Sequence, residues 1–484
     1  MLGSWMWIML LVSNADEAPN PWIRKAPPII ERADTNPTVD ALASALDAAW
    51  RADDWQAGER LAKRAQEHHA AAVIPPLAAR ALWRAGAIVD AERLVDALPR
   101  DAGAIDDPVA LQMIVTTALA RGQRERAATA AARLEARQDA TASDLLHAMA
   151  VRLLENRFDG MVALLRRVEK LADAKNGYPE HYITETIDGL AEYFAAIGAA
   201  PLNQVARYGE AEMPVTPLIN LPGCMVEING HGPYRMILDT GGSITLSVDE
   251  AVAKEIGLKS VAEASVRGVS GKESSGQAVI EEVRIGEIAC KRVMTRIFDV
   301  RRAAAGAVDG IIGTGIFSDG RIVLDFERGR LVVTPSSDEP GRGRAVDVRI
   351  VGDSKLIAPI TLNGERAAAL LDSGADVVAM APSRLKKLFP GKPIASMSAP
   401  LAGVGTGAAP AISVHSGVTL GFGGRTLENF GGLGLDTLDE VLGPILGVQT
   451  DVLIGMALFR EMRTCTIDFP RCRMWIEWID SGAN

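Results

Sequence analysis

Cysteine is scarce in this chain of 484 residues, with only Cys224, Cys290, Cys465 and Cys472. None forms a CxxC pair or sits in a Cys/His cluster, so the sequence offers no zinc site, no metal centre and no redox motif. Two readings stay open for Cys465 and Cys472, which flank an apparent hairpin turn. They could form a bond, although the expected register does not set them opposite each other, or all four cysteines could be buried free thiols. Excess positive charge is also missing. The net charge of -10 leaves no basic face for nucleic acid.

Long apolar runs are absent as well. The stretch Trp5–Val12 is too short to span a bilayer as a helix. It precedes a small-residue site, Ser13-Asn14-Ala15, and reads as a signal peptide over residues 1–15, although no Lys or Arg comes before the apolar core. That predicts export to a periplasmic or extracellular location, with a cytoplasmic chain as the alternative. The six histidines are scattered and none accompanies a Ser or Cys motif, which argues against Ser-His and Cys-His hydrolases. The segment Gly431-Gly432-Leu433-Gly434 lacks a following lysine or helix start, and reads as a loop, not a phosphate cradle.

What is present falls into two halves. Alanine dominates the first 200 residues and Gly, Val and Ile the rest, which predicts a helical front and a strand-rich back. Residues 16–38 carry Pro19, Pro21, Pro27, Pro28 and Pro37 and read as an extended linker. From 39 to 200 apolar residues recur at spacings of three and four, as on helices. Within that stretch Trp50/Gly58/Leu61, Trp83/Gly86/Ala91, Gly122/Ala127 and Asn156/Met161 mark units of about 34 residues. The pattern resembles the tetratricopeptide repeat. It implies either a concave surface for a protein partner or a plain helical bundle, with Trp50 and Trp83 as core residues. Residues 201–216 read as a second linker, and polar Ser336–Arg344 divides the back half into lobes over 216–335 and 345–484.

Those two lobes repeat one another. Asn229-Gly230, a strand and Ile237-Leu238-Asp239-Thr240-Gly241-Gly242-Ser243 match Asn363-Gly364, a strand and Leu370-Leu371-Asp372-Ser373-Gly374-Ala375-Asp376. Each lobe then has a glycine-rich hairpin, Gly268-Val269-Ser270-Gly271 or Gly403-Val404-Gly405-Thr406-Gly407. Each closes on an apolar-apolar-Gly element, Ile311-Ile312-Gly313 or Leu453-Ile454-Gly455. A single Asp-Thr/Ser-Gly triplet is weak evidence. Two triplets in the same order among the same elements are strong.

The back half therefore resembles the pepsin and retropepsin aspartic peptidases, as two retropepsin-like lobes fused in one chain. The resemblance implies an all-α, repeat-containing front followed by an all-β bilobal unit acting as an endopeptidase on polypeptide substrates, without cofactor. It assigns catalysis to Asp239 and Asp372, and support of the two loops to Thr240, Gly241, Ser373 and Gly374. Substrate contacts fall to Asp376 and to flaps near 266–275 and 401–410, including Gly268, Val269, Gly403 and Val404. Ser243 stands where Asp376 does in the other lobe, so the two sides of the groove should differ. Neither flap has the tyrosine typical of pepsins. Pepsin-like enzymes commonly place a serine after the triplet, whereas this chain has Gly242 and Ala375. Losing a donor to the ionised carboxylate raises its pKa, which predicts an optimum nearer neutral than a digestive pepsin's. Asp325 and Asp468, also repeated between lobes, read as turn supports. The alternative function is a repeat-based adaptor whose peptidase fold only binds peptides.

Overall fold

A computed structural model describes residues 20–68, 73–180, 183, 187–216, 219–242, 245–268, 271–304, 306–352, 354–390, 396–398 and 411–479. The leader expected over 1–15 lies outside them. The described residues form two compact units, those of 20–199 with 440–449, and those of 200–439 with 450–479.

The first unit is helical. Helix pairs begin at Val39, Ile74, Pro108 and Ala142, and their partners at Trp55, Ile88, Arg124 and Met161. The turn inside each pair carries a left-handed residue just after the first helix, Asp53, Gly86, Gly122 or Asn156, and the last turn has a second at Gly160. A sharp reversal needs positive φ, which Gly, Asn and Asp tolerate best. This recurrence is the physical content of the period of about 34 residues. Alanine and leucine fill the helix crossings, with Ala45, Leu46, Ala79, Leu82, Ile114 and Leu145 all buried. Trp83 is buried as expected, and Trp50 packs edge-on against Tyr178 with ring centroids 4.7 Å apart. Polar side chains also link successive pairs: Arg84 grips Asp53 at 2.7 and 3.1 Å, and Gln112 donates to Asp144 at 2.7 Å. Residues 440–449 join this unit, where Gln449 N–H donates to the Arg84 carbonyl at 2.7 Å and Tyr178 OH to the Pro444 carbonyl at 3.2 Å.

Two expected linkers are ordered structure instead. Trp22–Thr35 is a helix despite Pro27 and Pro28, because Ala26, Ile30 and Ala33 bury one face. Burial of that stripe outweighs the two backbone hydrogen bonds that the prolines remove. Within 201–216 lie the short strands Gln204–Arg207, Gly209–Glu212 and Val215–Thr216, which pair with Ile288–Phe298, Arg330–Pro335 and Leu221–Ile228.

The second unit is all-β apart from short helices. Its two lobes use the same topology. In the first, Leu221–Ile228 turns back through Asn229-Gly230 into His231–Asp239, which lies parallel to Gly310–Gly313. In the second, Lys355–Leu362 turns through Asn363-Gly364 into Glu365–Leu371, parallel to Val452–Ile454. Strands Leu246–Asp249 and Val378–Met380 flank the closing strands antiparallel. A six-stranded sheet joins the lobes, with Gly320–Asp325 of one against Met462–Asp468 of the other. Gly431-Gly432-Leu433-Gly434 is not a loop but part of the strand Arg425–Leu435. A Cβ on Gly432 would stand 2.8 Å from the Val378 carbonyl, so the glycines there permit close strand approach.

All four cysteines are free thiols, and three are buried. The apolar surroundings push Cys224 and Cys290 up to about 12, which keeps both as inert thiols.

Candidate active site

Each candidate aspartate ends an apolar strand that its closing strand holds in place. Gly313 stands beside Asp239 in the parallel ladder, and the Asp372 N–H donates to the Ile454 carbonyl at 3.0 Å. Buried Leu238 and Leu371 anchor the strands, so the following turn emerges at a fixed point. Both turns have the same internal hydrogen bond, Gly242 N–H to the Asp239 carbonyl at 3.3 Å and Ala375 N–H to the Asp372 carbonyl at 3.2 Å.

The two loops lock together through their hydroxyls. Thr240 Oγ1 donates to the Leu371 carbonyl at 3.0 Å and accepts from the Ser373 N–H at 2.9 Å. Ser373 Oγ mirrors it, donating to the Leu238 carbonyl at 2.8 Å and accepting from the Thr240 N–H at 3.0 Å. Both side chains are fully buried, so each of these bonds replaces water that cannot reach the site. The glycines cross in the same way. A Cβ on Gly241 would collide with the Asp372 carboxyl group, and one on Gly374 with the Asp239 carboxyl group. Thr240 and Ser373 thus hold the two loops to each other, and Gly241 and Gly374 leave room for the opposite carboxyl groups.

The carboxyl groups of Asp239 and Asp372 lie close enough to interact directly, each against the triplet glycine of the other lobe. Burial, then the charge of Asp239, hold Asp372 well above the ordinary aspartate range. The Gly374 N–H, 2.9 Å from Asp372 Oδ1, and the Lys355 cation act in the opposite direction. Asp239 Oδ1 is buried and receives no N–H or hydroxyl among the described residues. A proton on the neighbouring carboxyl group, or a bound molecule, is the group that would satisfy it.

Around this pair the lobes differ. Asp376 is exposed at the rim, paired with Arg460 and accepting from Asn220 Nδ2 at 3.2 Å. The aligned Ser243 lies outside the described residues. Neither Arg460 nor Asn220 was singled out by the sequence pattern, because nothing local marks them as partners of a residue far along the chain. Lys355, buried at the start of its strand, donates to the Gly242 carbonyl of the other lobe. A lysine opening the otherwise apolar run Leu356-Ile357-Ala358 was the signal available for it. Ala262–Gly268 and Gly271–Ile285 form a hairpin with Gly268 opposite Gly271, at the place expected for the first flap. Val269, Gly403 and Val404 lie outside the described residues. Asp325 and Asp468 do support turns, accepting from Arg328 N–H at 2.8 Å and Arg471 N–H at 3.3 Å. Asp468 also takes a buried ion pair from Arg321 at 3.1 Å. Gly455 fits beneath the second loop, since a Cβ there would strike the Ala375 carbonyl.

Comparison with known proteins agrees with this repeat. Residues 224–316 and 358–458 each match the aspartyl protease family model, one segment in each lobe. No curated protein matches the chain. Among solved structures it is similar to a retropepsin-like aspartic protease from Rickettsia conorii, with 14% identity over 28% of this chain and 91% of that one, at a TM-score of 0.19. It is also similar to the retroviral protease-like domain of Ddi1 from Leishmania major, with 16% identity over 27% of this chain and 98% of that one, at a TM-score of 0.18.

Proposed function

We propose that the unit carrying these two aspartyl-protease segments is an aspartic endopeptidase that hydrolyses peptide bonds with a water activated between Asp239 and Asp372. The observation that carries this reading is the reciprocal lock of Thr240 and Ser373 beneath two carboxyl groups that each lie against the other lobe's triplet glycine. Two close carboxyls cannot both ionise readily, so they hold one proton between them. The ionised member takes a proton from water as its oxygen attacks the scissile carbonyl carbon. The protonated member donates to the carbonyl oxygen as charge develops there. Collapse of the tetrahedral species breaks the C–N bond and sends a proton to the leaving amine. The pair regains its single proton, and no covalent enzyme intermediate forms.

The substrate class follows from the surroundings. A hairpin such as Ala262–Gly268 with Gly271–Ile285 offers backbone groups to an extended chain, and alternate side chains would enter opposite pockets. The Asp376 carboxylate at one rim would accept hydrogen bonds from the substrate backbone. The first unit's repeats, whose inner polar residues Arg80, Gln112 and His147 are buried, leave partner recruitment as a separate proposal. Export of the chain is likewise an inference from Trp5–Ala15 alone.

Digestion of a peptide library by wild type, Asp239→Asn and Asp372→Asn tests the assignment. Wild type should cleave, and each variant should lose at least about 10³-fold in kcat/KM, since each removes an obligatory proton-transfer group. Binding of library peptides without cleavage by any of the three proteins would favour the adaptor reading. Equal products from all three would remove both aspartates from the mechanism.

A further inference from the structure

The two catalytic strands pair with their preceding strands in equivalent registers. In the first lobe Gly223 faces Ile237, so Leu221 stands opposite Asp239. In the second, Leu356 faces Leu371, so Lys355 stands opposite Asp372. Both positions lie eight residues before an Asn-Gly turn, at Asn229 and Asn363. An apolar residue in one lobe is therefore matched by a buried cation in the other.

Lys355 is 3% exposed. A buried ammonium is costly unless its surroundings repay it with hydrogen bonds and negative charge. Here Nζ donates to the Gly242 carbonyl, in the loop that follows Asp239. Gly242 itself lies against Asp239, since a Cβ on it would stand 3.1 Å from that carboxyl carbon. The lysine thus starts beside one aspartate and ends on the loop of the other. Among the charged groups that feel this cation is Asp372, whose ionised form it favours.

We propose that Lys355 is a positioning residue that braces the Asp239 loop and supplies the fixed positive charge that keeps the aspartate pair singly ionised. The proposal rests on the endopeptidase reading and deepens it. It also changes what the missing serines imply. Gly242 and Ala375 remove hydroxyl donors from both loops, and Lys355 returns part of that stabilisation as charge, from one side only. A cation within a few ångströms favours the ionised form of a carboxyl group, so removing it shifts both titration steps of the pair to higher pH.

Two measurements on wild type, Lys355→Met and Lys355→Arg test this. The first follows the Asp372 carboxyl carbon by NMR through a pH titration and needs no substrate. The second is the pH profile of kcat/KM. The Met variant should move the Asp372 titration and the acid limb of the profile up by about one pH unit, a loss of about tenfold in kcat/KM on that limb. The Arg variant should keep both near wild type. An unmoved Asp372 titration in folded Lys355→Met overturns the proposal. Equal shifts in Met and Arg also overturn it, because packing and not charge would then be the cause. If Met does not fold, the proposal stands or falls on Lys355→Gln in the same two measurements. Failure of wild type to cleave any peptide, with the NMR shift present, would sink the endopeptidase reading and leave the electrostatic role intact.

Discussion

The two lobes of the second unit have the same backbone and different charges. Each builds its loop from an Asn-Gly hairpin, an apolar strand, an aspartate and an apolar-apolar-Gly closing strand. The reciprocal bonds of Thr240 and Ser373 have nearly equal lengths on the two sides. Charge breaks the match. Lys355 answers Leu221, and Asp376 with Arg460 has no charged counterpart at Ser243. Backbone symmetry brings two carboxyls together. On the proposed reading, charge asymmetry decides how their shared proton is held and how the two ends of a substrate are told apart.

The sharpest way to break the backbone equivalence is to fill a glycine. Gly241→Ala and Gly374→Ala each drive a methyl group into the opposite lobe's carboxyl group. Both should lower kcat by about 10² or more, because small misplacement of reacting groups is enough for that. Both should also lose about 1–3 kcal/mol of stability, the usual cost of overpacking, read from denaturant midpoints. Similar losses in the two variants would support equivalence, and a silent variant on either side would break it. The rim charge is a smaller test. Asp376→Asn should raise KM by about fivefold with kcat little changed, since it removes binding made equally in ground and transition states. The increase should fall on substrates extended toward that rim. Loss in kcat alone would place Asp376 in the chemistry instead.

Much of this arrangement is legible in the sequence because the chain states it twice. Asp239 and Asp372, their hydroxyl neighbours and both closing glycines could be found by aligning the lobes, and the structure brings all of them to one place. The helical period was readable for a similar reason, as Gly86, Gly122 and Asn156 mark turns that need positive φ. What was hidden depends on a single occurrence or a long-range contact. Asn220 and Arg460 meet Asp376 from far along the chain. Pro27 and Pro28 suggested an open linker, yet tertiary burial of Ala26, Ile30 and Ala33 overrides that local preference. Residues 201–216 looked irregular because their strands are short and complete edges supplied by strands elsewhere in the chain. Residues 440–449 gave no sign that they cluster with the helices.

The claim on which the rest depends is that Asp239 and Asp372 titrate as one pair. The most direct measurement is a pH titration of the aspartate carboxyl carbons by NMR in wild type, Asp239→Asn and Asp372→Asn. Wild type should show one step held well above the ordinary aspartate range by burial and by the Asp239 charge. That step should vanish in Asp372→Asn and move down in Asp239→Asn, where the like charge is gone. An Asp372 step that keeps the same pH in Asp239→Asn as in wild type would show two independent carboxylates and contradict the account.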